Sequence, residues 1–348
     1  MGDAAAPPVD TAAGHVYLAC EMVADPSGSL RSLRVCFGRL ATRLVADEHG
    51  IAVDLALPHL AGPMEEVVLA IPGGVVETPL PGSVLLSGGP WMAGAFVRPW
   101  HGPLDELSAS LYRELLLHAR GWNIGRVWNY VPHINSETTG LENYRRFNLG
   151  RWQAYHDSFG DRWTNHLPAA SAVGLREDML VTVFVATRAP VERIENPHQV
   201  PAWRYPAAYG PKAPSFVRAA RTEAGGQRWS WVSGTASIRG HESVAPGDVG
   251  GQLAVTLQNL DVVLSALDLP PLGTEMPDGS ASLAKVYLRR RGDLAAVQTH
   301  LGAVADQAFF LEADVCRAEL ELEIEVTVST MTAVTPSCGN FSEIAASR

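Results

Sequence analysis

The chain has 348 residues, 47% hydrophobic and 18% charged, with a formal net charge of -10 at neutral pH. That length supports two domains with separate cores, and that hydrophobic share excludes disorder as the main state. The acidic balance excludes a nucleic-acid or anionic-membrane surface, so any anionic ligand must be gripped by local arginines. The start, MGDAAAPPVDTAAGH, lacks a basic-then-apolar leader pattern, and no later run reaches the roughly 18 apolar residues of a membrane span. A cytoplasmic protein is expected, with neither a nucleic-acid nor a membrane partner. Cys20, Cys36, Cys316 and Cys338 are widely spaced without a CxxC pair, and no HExxH occurs, so no disulfide framework, metal or cofactor is expected.

Short apolar runs at 16–23, 33–40, 51–57, 66–71 and 83–97 are broken by Pro, Gly and Asp turns, which predicts an antiparallel meander through the first third. Leu104 to Arg120 carries Leu104, Leu107, Leu111, Leu115 and His118 at helical spacing, with Gly121 as the stop. A strand over Arg126–Ile134, a helix over roughly Leu141–Phe159 and a strand over Asp178–Arg188 follow. Pro190, Pro197, Pro201, Pro206, Pro211 and Pro214 then forbid regular structure, so 190–214 reads as a connector.

The same order returns beyond the connector. A strand over Trp229–Ile238 precedes a helix that Asp248 can cap, with Val249, Leu253, Leu257, Leu260, Leu264 and Leu267 on one face. A strand over Ala284–Arg290, a helix near Asp293–Asp306 and a final strand over Leu311–Val328 complete it. From Leu320 the last segment alternates strictly, with Leu322, Ile324, Val326 and Val328 on one face and Glu319, Glu321, Glu323, Glu325 and Thr327 on the other. A solvated acidic face is the ordinary reading, whereas a glutamate covered by another part of the chain would hold its proton and could act as a general acid. Matching Arg176 to Arg317 lays Val181, Val183 and Val185 on Leu322, Ile324 and Val326, Thr182 on Glu323, and Leu175 on Cys316. The chain is therefore expected to be a duplicated α+β unit.

The second copy resembles the YjgF-like reactive-intermediate deaminases in its strand with Ser233-Gly234 and in Gln252, Leu257, Asn259, Leu260 and Leu264 of the next helix. Those deaminases place a carboxylate-gripping arginine fifteen residues before the equivalent of Glu323; here that position is Ala308. Over most of its length the chain resembles the chorismatases, which cleave the enolpyruvyl ether of chorismate. The matching segments are Arg126–His133, Gly140–Arg151, Tyr205–Arg218, Ser233–His241 and Asp314–Glu325. The resemblance implies two tandem YjgF-like, chorismate-mutase-like α/β units, each a mixed sheet with helices on one face. The units would be 1–189, without a catalytic Glu, and 215–348, the catalytic one.

It further implies that Glu323 is the acid, with Glu321 and Glu325 as competitors on the same face, and that the substrate is chorismate. Arg151 and Arg218 each offer a planar fork to a carboxylate. Tyr144 and Tyr209 can donate phenolic hydrogen bonds, and Gly234, Thr235 and Ala236 are expected where backbone approaches the ligand. The 3-hydroxybenzoate-forming members carry a cysteine at the position of Cys316 and the hydrolysing members an alanine, so 3-hydroxybenzoate and pyruvate are the expected products, with hydrolysis to a dihydroxycyclohexadiene carboxylate as the alternative. The aromatic product would pass to a polyketide starter-unit pathway. A non-catalytic small-molecule binding protein on the same fold is the alternative of another class. His133, His156 and His241 can serve as proton carriers or as structural residues.

Overall fold

The computed structural model describes residues 30–277 and 280–331; the apolar run 16–23, Cys20 and Cys338 lie outside them. Strands β1 (Leu30–Cys36), β2 (Arg43–Asp47), β3 (Gly50–Asp54), β4 (His59–Ala61) and β5 (Glu65–Pro72) open the chain. They are not the expected meander, because β1 runs parallel to β3 in a four-stranded sheet ordered β2-β3-β1-β5, and β4 leaves for another sheet.

A six-stranded sheet follows. Its elements are β6 (Val75–Leu80), β7 (Ser83–Gly88), β8 (Trp91–Pro99), helix α1 (Leu104–His118), β9 (Asn123–Pro132), the short pair β10 (Glu137–Thr138) and β11 (Leu141–Glu142), helix α2 (Asn143–Phe159), β12 (Ala169–Leu175) and β13 (Met179–Thr187). The predicted run at 83–97 is two strands, turned at Gly89, whose positive φ of 52° suits a residue without Cβ.

The second sheet comprises β14 (Val191–Ile194), β15 (Ala219–Ala224) and β16 (Gln227–Thr235), then, beyond the short pair β17 (Ile238–Arg239) and β18 (Glu242–Ser243), helix α3 (Val249–Ala266), β19 (Ser280–Leu288), α4 (Leu294–Leu301), β20 (Phe309–Glu312) and β21 (Leu322–Met331). Strand β14 lies inside the Pro-rich stretch, in the proline-free window between Pro190 and Pro197, and pairs with β15. Leu311–Val328 is not one strand: β20 and β21 are separate. The Arg289 side chain fastens the loop between them, donating to Leu320 O at 2.7 Å and Arg317 O at 2.8 Å.

The sheet orders are β12-β9-β13-β8-β7-β6 and β14-β15-β16-β21-β19-β20-β4. Reversing the second and removing β4 makes the two identical, with the parallel pair β12/β9 matched by β20/β19. The expected architecture, two tandem α+β units with helices on one face of each mixed sheet, is present. One detail of the internal match is corrected. Arg126 pairs with Ala169 and Trp128 with Val183; Lys285 pairs with Phe309 and Tyr287 with Glu323. Val181, Val183 and Val185 therefore correspond to Glu321, Glu323 and Glu325, not to Leu322, Ile324 and Val326. A slip of one residue exchanges the two faces of a strand, and the match proposed from Arg176 had made that slip.

Leu322, Ile324, Val326 and Val328 pack into the core beneath α3 and α4 with Leu260, Leu264 and Val297, each such burial worth about 1.5–3 kcal/mol. The opposite faces of the two sheets close on each other around Trp128, Tyr130, Val183, Trp231 and Tyr287. Glu321, Glu323 and Glu325 point into this seam and are 4%, 3% and 2% exposed, so the solvated-face reading does not hold for them; Glu319 remains exposed. Among the described residues no helix is long and apolar enough to cross a membrane.

Candidate active site

The resemblance motif has a local structural basis. Asp248 caps α3 by accepting from Gly251 N at 3.0 Å. One turn in, Gln252 Oε1 accepts from Glu321 N at 2.7 Å while its Nε2 donates to Glu319 O at 2.9 Å, which fixes the entry to β21. Asn259 Nδ2 donates to Ala236 O at 3.1 Å and Ile238 O at 2.9 Å, which fixes the exit from β16. Two buried amides thus hold the backbone on either side of Glu323.

The seam opens there into a cavity with an empty volume of about 740 Å³, open solvent at its mouth included. Glu323, Cys316, Tyr144, Arg151, Tyr209, Arg218, Gly234 and Ala236 all line it. Thr235 does not; its hydroxyl donates to Ser233 O at 2.8 Å, because alternation turns its side chain away from the side that Gly234 presents. Glu321 and Glu325 are also absent from the lining: Glu321 Oε2 lies 3.2 Å from Arg290 Nη1, and Glu325 is enclosed deeper in the seam.

Gly234 is dictated by the acid. A Cβ there would lie 1.8 Å from Glu323 Oε1, so only glycine lets β16 approach the carboxyl. Glu323 Oε1 is buried without a hydrogen-bond partner among the described residues. Burial, reinforced by the Glu325 charge and opposed by Arg126 and Arg218, pushes its pKa up to about 8. Glu325, although equally buried, is driven the other way by Lys285 and Arg126, which outweigh desolvation. Two adjacent carboxyls are thereby separated into a proton holder and a fixed anion. Burial and the nearby Glu323 also push the Cys316 thiol up to about 12.

Three arginines present unpaired donors to this space. Arg151 Nε, Arg218 Nε and Arg317 Nη2 are buried without a hydrogen-bond partner among the described residues, although Arg218 Nε has Glu195 Oε2 at 3.9 Å. Arg151 is oriented by Asn148 Oδ1 at 2.7 Å, and Arg218 by Tyr205 Oη at 2.8 Å and Val200 O at 3.1 Å. Arg317 lies over the Tyr209 ring, 4.0 Å from its centroid, and donates to His241 O at 2.9 Å. Unpaired buried donors are costly in isolation, and a bound anion would satisfy them.

Arg317, Ser171, Phe216 and Tyr205 were not singled out from the sequence. Arg317 adjoins Cys316, and Tyr205 and Phe216 fall within a matched segment, so those signals were available; for Ser171 there was none, since its place comes from β12 crossing the seam. Of the histidines only His241 is near, its Nδ1 3.3 Å from Tyr209 Oη. His133 instead meets Asp178 at 3.1 Å and His156 stacks on Trp152. Ala308, where the deaminases carry arginine, is core, its carbonyl packed where a Cβ on Gly62 would be 2.0 Å away.

A neutral carboxyl facing unpaired arginine donors in a mostly buried cavity can protonate an anionic small molecule. Residues 81–186 match the family model described as chorismatase FkbO/Hyg5-like, N-terminal. A 3-hydroxybenzoate synthase of Streptomyces hygroscopicus is 37% identical over 250 residues, 66% of this chain and 71% of the relative. A chorismatase of the same organism is 37% identical over 241 residues, 66% and 69% of the two chains. A chorismatase crystal structure superposes with a TM-score of 0.74 at 28% identity, covering 87% of this chain and 95% of its own. The fold and site have the form of an α+β enzyme that acts on a small molecule. The chain belongs to the chorismatase family.

Proposed function

We propose that this chain converts chorismate to 3-hydroxybenzoate and pyruvate, with Glu323 as the general acid. The observation that carries the reading is the Glu323 carboxyl itself, buried, with Oε1 lacking a hydrogen-bond partner among the described residues and its pKa pushed up to about 8 by burial, in a cavity that arginines also line. Chorismate is a dianion with two carboxylates. Arg151, Arg218 and Arg317 would take them, and Tyr144 and Tyr209 would border the ring. Proton transfer from Glu323 to the enol ether methylene gives an oxocarbenium ion; water adds to that carbon, and the hemiketal collapses by breaking its bond to the ether oxygen, so pyruvate leaves with the oxygen of the water and the ring keeps the ether oxygen as a hydroxyl. Loss of the ring C4 hydroxyl as water completes aromatisation. The water released balances the water taken up in forming pyruvate, so the two products contain the atoms of chorismate and nothing more.

In this reading Cys316 acts through bulk. A thiol pushed up to about 12 remains protonated at neutral pH and is a poor nucleophile, yet it lines the cavity, where its bulk would hold the ring in place until the C4 hydroxyl has left. The test is incubation of purified protein with chorismate, quantifying pyruvate and aromatic product separately. Equimolar 3-hydroxybenzoate and pyruvate are expected. Pyruvate with the dihydroxy diene would make the chain a hydrolase, and saturable binding with no pyruvate would make it a binding protein. A polyketide pathway drawing on 3-hydroxybenzoate as starter unit is the destination this reading proposes.

A further inference from the structure

Behind the Glu323 carboxyl lies a set of ionisable groups that the proposed reaction does not touch. Glu325 Oε1 lies 2.7 Å from both Lys285 Nζ and Trp128 Nε1. Its Oε2 lies 2.6 Å from Arg126 Nη2 and accepts from the Ser171 hydroxyl. Lys285 Nζ also donates to Glu66 Oε2 at 2.6 Å. Glu66 on β5, Arg126 on β9, Lys285 on β19 and Glu325 on β21 are each no more than 2% exposed, so members of all three large sheets meet in one buried chain of charges.

Such a chain is an expensive way to fill space, because each buried ion loses several kcal/mol of hydration that pairing only offsets. The internal repeat shows that the fold does not demand it. The positions equivalent to Glu321, Glu323 and Glu325 in the first unit are Val181, Val183 and Val185, all buried in the same seam. The charges therefore accompany the acid and not the architecture.

The groups facing Glu323 fix the sign of the effect. Arg126 from β9 and Arg218 from the segment before β15 favour its anion. Glu325 opposes them, whereas Glu321 on the same strand is offset by Arg290. Arg151, Tyr144 and Arg145 of α2, Glu142 before it, Cys316 and Arg317 of the loop before β21, Tyr205 and Tyr209 of the segment before β15, and Lys285 and Tyr287 of β19 also surround the site, and Glu195 lies 3.9 Å from Arg218. Burial is the larger reason that Glu323 holds its proton, and the charge of Glu325 adds to it against the cations.

We propose that Glu325, held ionised by Arg126 and Lys285, is a positioning residue whose fixed negative charge keeps Glu323 protonated, and that Glu66 completes this charge system from the amino-terminal sheet. The inference rests on Glu323 being the acid of the proposed reaction, but its test does not need turnover. The infrared carbonyl band of the protonated Glu323 carboxyl, assigned by its loss in Glu323→Gln, is titrated in wild type, Glu325→Gln, Glu325→Asp and Lys285→Met.

Removing the Glu325 charge is expected to lower the midpoint by about one pH unit or more, and Lys285→Met, which takes away a cation that holds Glu325 ionised, to lower it as well and by less. Aspartate, which retains the charge, is expected to restore a midpoint near that of wild type. If Glu325→Gln does not fold, the direction in Lys285→Met decides. Midpoints that stay put in the folded variants, or that rise in either charge-removing one, overturn the proposal. A protein that gives the expected titrations but no pyruvate from chorismate overturns the functional reading alone.

Discussion

Replacing Glu323 with glutamine should make the protein more stable, by an amount that depends on pH in a defined window. The carboxyl sits near pKa 8 in the fold against 4.5 for the free side chain. Below pH 4.5 it is protonated whether the chain is folded or not, so it adds no pH term. As pH rises from 4.5 to about 8 the unfolded chain releases the proton and the folded chain retains it, which favours unfolding progressively. At about 1.4 kcal/mol per pH unit the wild type loses about 3 kcal/mol by pH 7 and about 4 kcal/mol by pH 8, levelling at about 5 kcal/mol above it. Glutamine does not ionise and escapes this cost, a stability gain of the sort expected when an active-site group is neutralised. Urea unfolding of both proteins at several pH values measures it. The advantage of the variant over wild type should grow across the window and then level off. A difference that is flat with pH, or that shrinks as pH rises, would refute the assignment of a buried, protonated Glu323.

The remaining expectations concern catalysis. Gly234→Ala puts a methyl 1.8 Å from Glu323 Oε1, so the folded variant should lose roughly 100-fold or more in turnover; near-normal rates would mean the carboxyl can sit elsewhere. Arg151→Met and Arg218→Met should each raise KM for chorismate by roughly 10- to 100-fold, the scale of one lost charge-assisted hydrogen bond, and an unchanged KM removes that arginine from the site. Cys316→Ala should move product from 3-hydroxybenzoate toward the hydrolysis product with pyruvate release maintained, whereas Cys316→Ser, similar in size, should retain the aromatic product. Chromatography of both product pools checks this, and unchanged 3-hydroxybenzoate in the alanine variant would make Cys316 a packing residue.

The local patterns that sequence carries were legible. The period of two in β21, the cap at Asp248 and the Gln252–Asn259 spacing all act within one element or between neighbouring ones, and each is found with its expected role. What covers the glutamate face was not legible, because Ser171, Arg126 and Trp128 reach Glu325 from the other unit, and Glu66 joins Lys285 from the amino-terminal sheet. Register between the repeats was misread by one residue for a related reason. Valines in one unit and glutamates in the other occupy the same face, so matching by hydrophobicity selects the wrong side, and only ladder pairing to Trp128 and Tyr287 decides it. The break between β20 and β21 was hidden as well, since the apolar residues Ala313, Val315 and Leu320 mimic a strand while Arg289 holds their backbone as a loop. Arg317 looked like an alignment anchor; its free Nη2 beside Tyr209 emerges from the fold.

The central claim is proton donation by Glu323, and one comparison tests it most directly: wild type and Glu323→Gln at saturating chorismate, with pyruvate and 3-hydroxybenzoate followed together and chorismate affinity measured on the same preparations. The prediction is equimolar products from wild type and a rate lower by about 10² to 10⁴ in the variant, with affinity nearly preserved because the amide retains the shape of the acid and the arginines are untouched. Undiminished turnover in Glu323→Gln would contradict it.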